Sequence, residues 1–118
     1  MKSAKTFAVV LGLLVAMLNP APSEANPPKK VTAEYHVETR TLSVTVEHPA
    51  LIFWLHHIKS VEIRLNGKLV QTVEYETQPG DTFTYTYTVA ASPGDVIEAT
   101  AYCNLYGSKT VLLTVAKP

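Results

Sequence analysis

The chain has 118 residues, ten lysines and arginines against ten aspartates and glutamates, and a single cysteine. Zero formal net charge with no basic stripe argues against nucleic acid as a partner, and one cysteine excludes any disulfide within the chain. No acidic or basic tail is present either.

The first 25 residues read as a leader. Lys2 and Lys5 form a basic start, Phe7 to Leu18 is an apolar run of 12 residues, and Asn19-Pro20 breaks it. Ser23-Glu24-Ala25 then supplies small residues at −3 and −1 for cleavage. A spanning helix needs roughly 20 apolar residues, so no transmembrane anchor is expected once residues 1–25 are removed. No cysteine lies near the cleavage site to carry a lipid. The expectation is a secreted or periplasmic protein whose mature domain covers residues 26–118. In an oxidising compartment its lone cysteine must be buried, paired between chains or ligated.

The mature chain alternates with period two. Val31, Ala33, Tyr35 and Val37 interleave with polar residues, and Leu42, Val44 and Val46 repeat the pattern after a turn near Thr39-Arg40. The alternation fails after His48-Pro49 through Ala50-Leu51-Ile52-Phe53-Trp54-Leu55, which reads as a loop because proline cannot donate to a ladder. Val61, Ile63 and Leu65 resume it up to Asn66-Gly67, a hairpin signal whose two central positions need positive φ. Leu69 to Glu76 returns, Gln78-Pro79-Gly80-Asp81 turns, and Phe83, Tyr85, Tyr87 and Val89 alternate strictly with threonines. After Ser92-Pro93-Gly94-Asp95 come Val96–Cys103 and Lys109–Ala116. Seven short strands with turn signals roughly every ten residues predict an all-β, immunoglobulin-like antiparallel sandwich. Its buried set should include Tyr35, Val44, Val46, Val61, Ile63, Phe83, Tyr85, Ala99 and Leu113.

Candidate chemistry collects in two stretches. Cys103 shares parity with Ile97, Ala99 and Ala101, so it points toward the buried face; a free buried cysteine is by default a small hydrophobe. The Asn104-x-x-Gly107 turn adds backbone amides able to hydrogen-bond a sulfur and tune a bound metal. Upstream, His48, His56 and His57 fall in one short interval. Adjacent residues on an extended chain face opposite ways, so only one of His56 and His57 can aim at a given point. His36 shares parity with the polar residues of its strand and reads as a solvated side chain. Thiolate and imidazole together are the donors that divalent iron, copper or zinc would choose. The apolar loop at 50–55 has two readings: it closes the sheet end over the core, or it offers Leu51, Ile52, Phe53 and Trp54 to a protein partner.

"EHP…HHIKSVEI", a Pro-Gly turn and "AYCN-x-x-G", in that order, resemble the iron-binding domain of desulfoferrodoxins and superoxide reductases, over roughly Val44 to Val115. The resemblance implies an immunoglobulin-like sandwich that holds one iron through four equatorial histidines and an axial cysteine thiolate, and reduces superoxide to peroxide at the position trans to sulfur. It matches His48 to the ligand of the family's His-Pro pair, His56 to the histidine opening His-[His/Tyr]-Ile, and Cys103 to the thiolate. Three departures follow. Tyr106 stands where an equatorial histidine belongs. The leader lacks the family's N-terminal ligand histidine, His36 lying too near the His-Pro pair to replace it. The loop between His48 and His56 is longer than usual and apolar. A reduced site of His48, His56, Cys103 and Tyr106 would take iron or another transition metal, and catalytic activity is left open. Its ligand atoms would lie within about 3–4.5 Å of one another. The alternative is a metal-free binding module that uses the apolar loop.

Overall fold

A computed structural model of the protein describes residues 27–117; the leader reading of residues 1–25 lies outside the described residues. Seven strands follow in order: β1 (Lys30–His36), β2 (Thr41–Glu47), β3 (Ile58–Leu65), β4 (Lys68–Glu74), β5 (Thr82–Thr88), β6 (Val96–Cys103) and β7 (Ser108–Thr114). They form a three-stranded sheet, β1-β2-β5, and a four-stranded sheet, β4-β3-β6-β7, with every pairing antiparallel. Among the described residues there is no helix, and so none long and apolar enough to cross a membrane.

The period-two pattern explains the layers. Leu42, Val44 and Val46 of β2 face Val61 and Ile63 of β3, Phe83 and Tyr87 of β5, and Ile97, Ala99 and Ala101 of β6 in one buried cluster. Fully burying a side chain such as Leu42, Ile58, Ile63 or Ile97 contributes about 1.5–3 kcal/mol. Asn66 and Gly67 adopt φ of 51° and 87°, the left-handed pair that the tight β3–β4 hairpin requires.

Two details differ from the sequence reading, and a bulge adds a third that it did not address. Val37 is exposed because it lies past the end of β1, in the turn to β2. Tyr35, Tyr85 and Leu113 pack against the core but are only partly buried. On β4, Leu69 and Val70 are both exposed. The register shifts there: Ile63 pairs with Gln71 and Arg64 with Leu69, leaving Val70 as the extra residue of a bulge on an edge strand.

The topology gathers one end of the sandwich. Glu47 at the end of β2 pairs with Lys30 at the start of β1 and with Thr82 at the start of β5. Ile58 at the start of β3 pairs with Cys103 at the end of β6, and β7 begins beside them. His48, His56, His57 and Cys103 are therefore delivered to the same end by strand direction alone.

Candidate metal centre

His48 follows β2 directly and is buried; its amide donates to the carbonyl of Asp81 at 2.7 Å. Its ring Nδ1 lies 2.8 Å from Oε1 of Gln78, a side chain only 3% exposed. Gln78 also accepts from the Ile58 amide at 3.0 Å and donates to the carbonyls of His48 and Gly80 at 2.7 and 2.9 Å. One carboxamide thus ties the end of β2 to the start of β3.

The loop after His48 folds back on itself: the amides of Leu55 and His56 both donate to the carbonyl of Ile52, at 3.1 and 2.9 Å. That tight turn throws its side chains outward. Leu51 is 99% exposed and Trp54 68%, with Ile52 and Leu55 also exposed. The loop therefore does not close the core, contrary to the first of its two readings. That end is sealed instead by His48, Gln78 and Ile58, all buried.

Cys103 is 5% exposed at the end of β6. Its amide donates to the Gly107 carbonyl at 3.0 Å, and the Leu105 amide points at its Sγ at 3.4 Å. An amide directed at a sulfur moderates the electron density a thiolate gives to a metal. Asn104 ties this turn to the histidine loop. It exchanges backbone and side-chain hydrogen bonds with His57, both at 2.9 Å, and donates to the Leu55 carbonyl at 3.0 Å.

His48, His56 and Cys103 converge, each offering one ligand atom, all within 4.8 Å of one another. Bond lengths of about 2.0–2.3 Å allow separations up to roughly 4.5 Å, so a few tenths of an ångström of closure would seat one ion. The rings of His48 and His56 meet edge to face, centroids 4.7 Å apart. Nε2 of His56 is sealed from solvent and has no hydrogen-bond partner. Burial, and then the neighbouring imidazoles of His48 and His57, push His56 below its ordinary pKa, which favours the neutral ring that a metal needs. The donor set and the orphaned nitrogen fit a thiophilic transition-metal ion.

The other candidates are placed differently. His57 is buried beside His56 but outside the converging trio, its Nδ1 also unpartnered. Tyr106 is 50% exposed on the turn after Cys103. His36 closes β1, six residues beyond Lys30. At about 3.4 Å per residue that sets it some 20 Å from the gathered end, beside Glu34 on the surface, so it is no ligand here. Gln78 was not visible in the sequence as part of the site. Its only local signal was a place before a Pro-Gly turn.

Residues 24–109, most of the chain, match the family described as desulfoferrodoxin. The chain belongs to the desulfoferrodoxin family. A sequence search of curated proteins finds no match. Among solved structures, superoxide reductase (neelaredoxin) from Ignicoccus hospitalis is similar at a TM-score of 0.52 and 23% identity, over 83% of this chain and 87% of that one. A single-site variant of that protein gives a TM-score of 0.54 at 20% identity, over 81% and 85%. A hypothetical protein from Pyrococcus horikoshii gives 0.51 at 19%, over 75% and 88%. At these identities the likeness speaks for the fold: a superoxide reductase-like β-sandwich.

Proposed function

We propose that this desulfoferrodoxin-family domain is exported and that His48, His56 and Cys103 hold a single iron ion for one-electron redox chemistry. The observation that carries the reading is the convergence of His48, His56 and Cys103 at near-ligand distance, with Nε2 of His56 sealed from solvent and unpartnered. A buried polar atom without a partner costs about 1–3 kcal/mol, and a metal bond would remove that cost. Iron, when bound, supplies a ferrous–ferric couple, the chemistry by which superoxide reductases convert superoxide to peroxide. The chain's own residues orient the donors: Gln78 holds the His48 ring, the Leu105 amide faces the sulfur, and Asn104 fixes the loop that carries His56.

Turnover of superoxide is expected to be poor. Only three protein donors correspond to the family's five, and no lysine or arginine lies between His48 and Ile58 to draw in an anion. The decisive experiment is metal content and absorption of the full chain purified from its export compartment. A thiolate-to-iron charge-transfer band, lost in Cys103→Ser, is expected. Superoxide consumption by iron-loaded protein should be low and should rise in Tyr106→His, which restores a histidine at the family's position. Wild-type turnover equal to a five-ligand enzyme would overturn the reduced-site reading.

The exposure of Leu51 and Trp54 favours a second reading, a metal-free module that meets a protein partner through Leu51, Ile52, Phe53 and Trp54. A colourless, metal-free protein from the same purification would favour it over the iron centre.

A further inference from the structure

We infer that Gln78 sets the tautomer of His48 and thereby decides which of its ring nitrogens can serve as a metal donor. The inference takes its purpose from the metal-centre reading above, but its geometry stands alone. A glutamine flipped end for end has the same shape, so the end that faces His48 must be argued from its partners. Three of the four partners are backbone groups of fixed polarity. The Ile58 amide can only donate, so the atom 3.0 Å from it is the carbonyl oxygen Oε1. The carbonyls of His48 and Gly80 can only accept, so the atom 2.7 and 2.9 Å from them is the NH2 group. A flipped Gln78 would set donor against donor once and acceptor against acceptor twice, inside a buried site. The orientation is therefore fixed without reference to the histidine.

The consequence falls on the imidazole. Oε1 accepts and cannot donate, so His48 Nδ1, 2.8 Å away, carries the hydrogen. A neutral imidazole has one N–H, which leaves the lone pair on Nε2. The ring is thus committed as an Nε2 donor before any metal arrives, and its rotation is held by the same hydrogen bond. Because Gln78 also binds the backbone of His48 and of Ile58, it acts as a positioning residue for both histidine-bearing segments. A partner of this kind typically changes metal affinity 10–100-fold when removed.

The test is long-range proton–nitrogen correlation NMR on 15N-histidine-labelled, metal-free protein, above the ordinary imidazole pKa of about 6.5. His48 is expected to show a protonated, pyrrole-type Nδ1 and a pyridine-type Nε2. Gln78→Met should move it toward the other tautomer and weaken cobalt(II) binding by about 10–100-fold. Gln78→Glu keeps the acceptor at Nδ1 but sets its second oxygen against the two carbonyls, so it should lower stability and still keep Nδ1 protonated; a purely structural role for Gln78 predicts no such split. A wild-type His48 protonated on Nε2 overturns the inference, as does a folded Gln78→Met with unchanged tautomer and cobalt affinity. If neither variant folds, the wild-type spectrum alone decides. A protonated Nδ1 with no cobalt uptake supports the tautomer and sinks the metal centre; cobalt uptake with a protonated Nε2 does the reverse.

Discussion

Gly107 shows how much one residue controls at the cysteine. Its φ of 63° lies in the left-handed region, and a Cβ there would meet Cβ of Pro27 at 3.1 Å. Its carbonyl receives the amide of Cys103 at 3.0 Å, so any shift of Gly107 is felt one hydrogen bond from the sulfur. Gly107→Ala should destabilise the protein by about 1–2 kcal/mol and weaken cobalt(II) binding, read by thermal melting and by titration. A variant as stable as wild type would mean that the turn relaxes without strain. The turn itself was legible, because Asn-x-x-Gly after a strand is a local signal. Gln78 was not. Its contacts to His48 and Ile58 span 30 and 20 residues, and no local pattern distinguishes a glutamine buried by tertiary packing from one in an ordinary turn.

Among the elements, the strands were read best where both of their faces carry a clear pattern. β6 runs from Val96 to Cys103 as its alternation suggested, and β5 follows its aromatic–threonine repeat. β4 returns from the Asn66-Gly67 turn as the sequence suggested, while the bulge that puts Val70 out of phase has no marker in the sequence. The loop after His48 was ambiguous for a related reason: apolar residues announce burial, yet a tight turn at Ile52–His56 turned them to solvent. The far end of the sandwich is pinned differently, by Asp95. Its carboxylate accepts from the Ser92 amide at 2.9 Å and from Asn66 Nδ2 at 3.2 Å, while Asn66 Oδ1 accepts from the Val96 amide at 2.9 Å. The Ser92 amide first, and Asn66 second, hold Asp95 below the usual carboxylate value of 3.8. A depressed folded pKa means that the unfolded chain takes up the proton first as pH falls. The stabilisation is therefore full above the unfolded value and fades as pH drops through the folded one. Asp95→Ala should melt lower than wild type at neutral pH, with the gap closing below about pH 3.8. A gap that stays constant from about pH 7 to about pH 3 would show that the carboxylate has no such role.

At the scale of the whole molecule, the candidate metal centre caps one end of a continuous core. The buried cluster runs from Val31 to Val115 through both sheets and reaches the centre at Ile58, the partner of Cys103. A chain of this size can fold on such a core without a metal. Chelation should therefore leave the β-sheet circular dichroism intact. Cobalt(II) at about 100 times its dissociation constant should add about 2.7 kcal/mol, or roughly 10–20 °C in melting temperature for a domain of this length. Loss of the sheet signal on chelation would instead make the ion a structural part of the fold.

The contact between Pro27 and Gly107 also bears on how the protein is handled. It sets Pro27 beside the turn that follows Cys103, so a tag fused directly to Pro27 in place of residues 1–26 would start beside the candidate centre. A polyhistidine tag fused at that point would bring foreign imidazoles close to a site whose own donor set is incomplete. Metal counted on such a fusion would report the tag as much as the protein. A purification handle at the C-terminus is no automatic remedy, but removal of an N-terminal one before any metal analysis follows directly from where Pro27 sits.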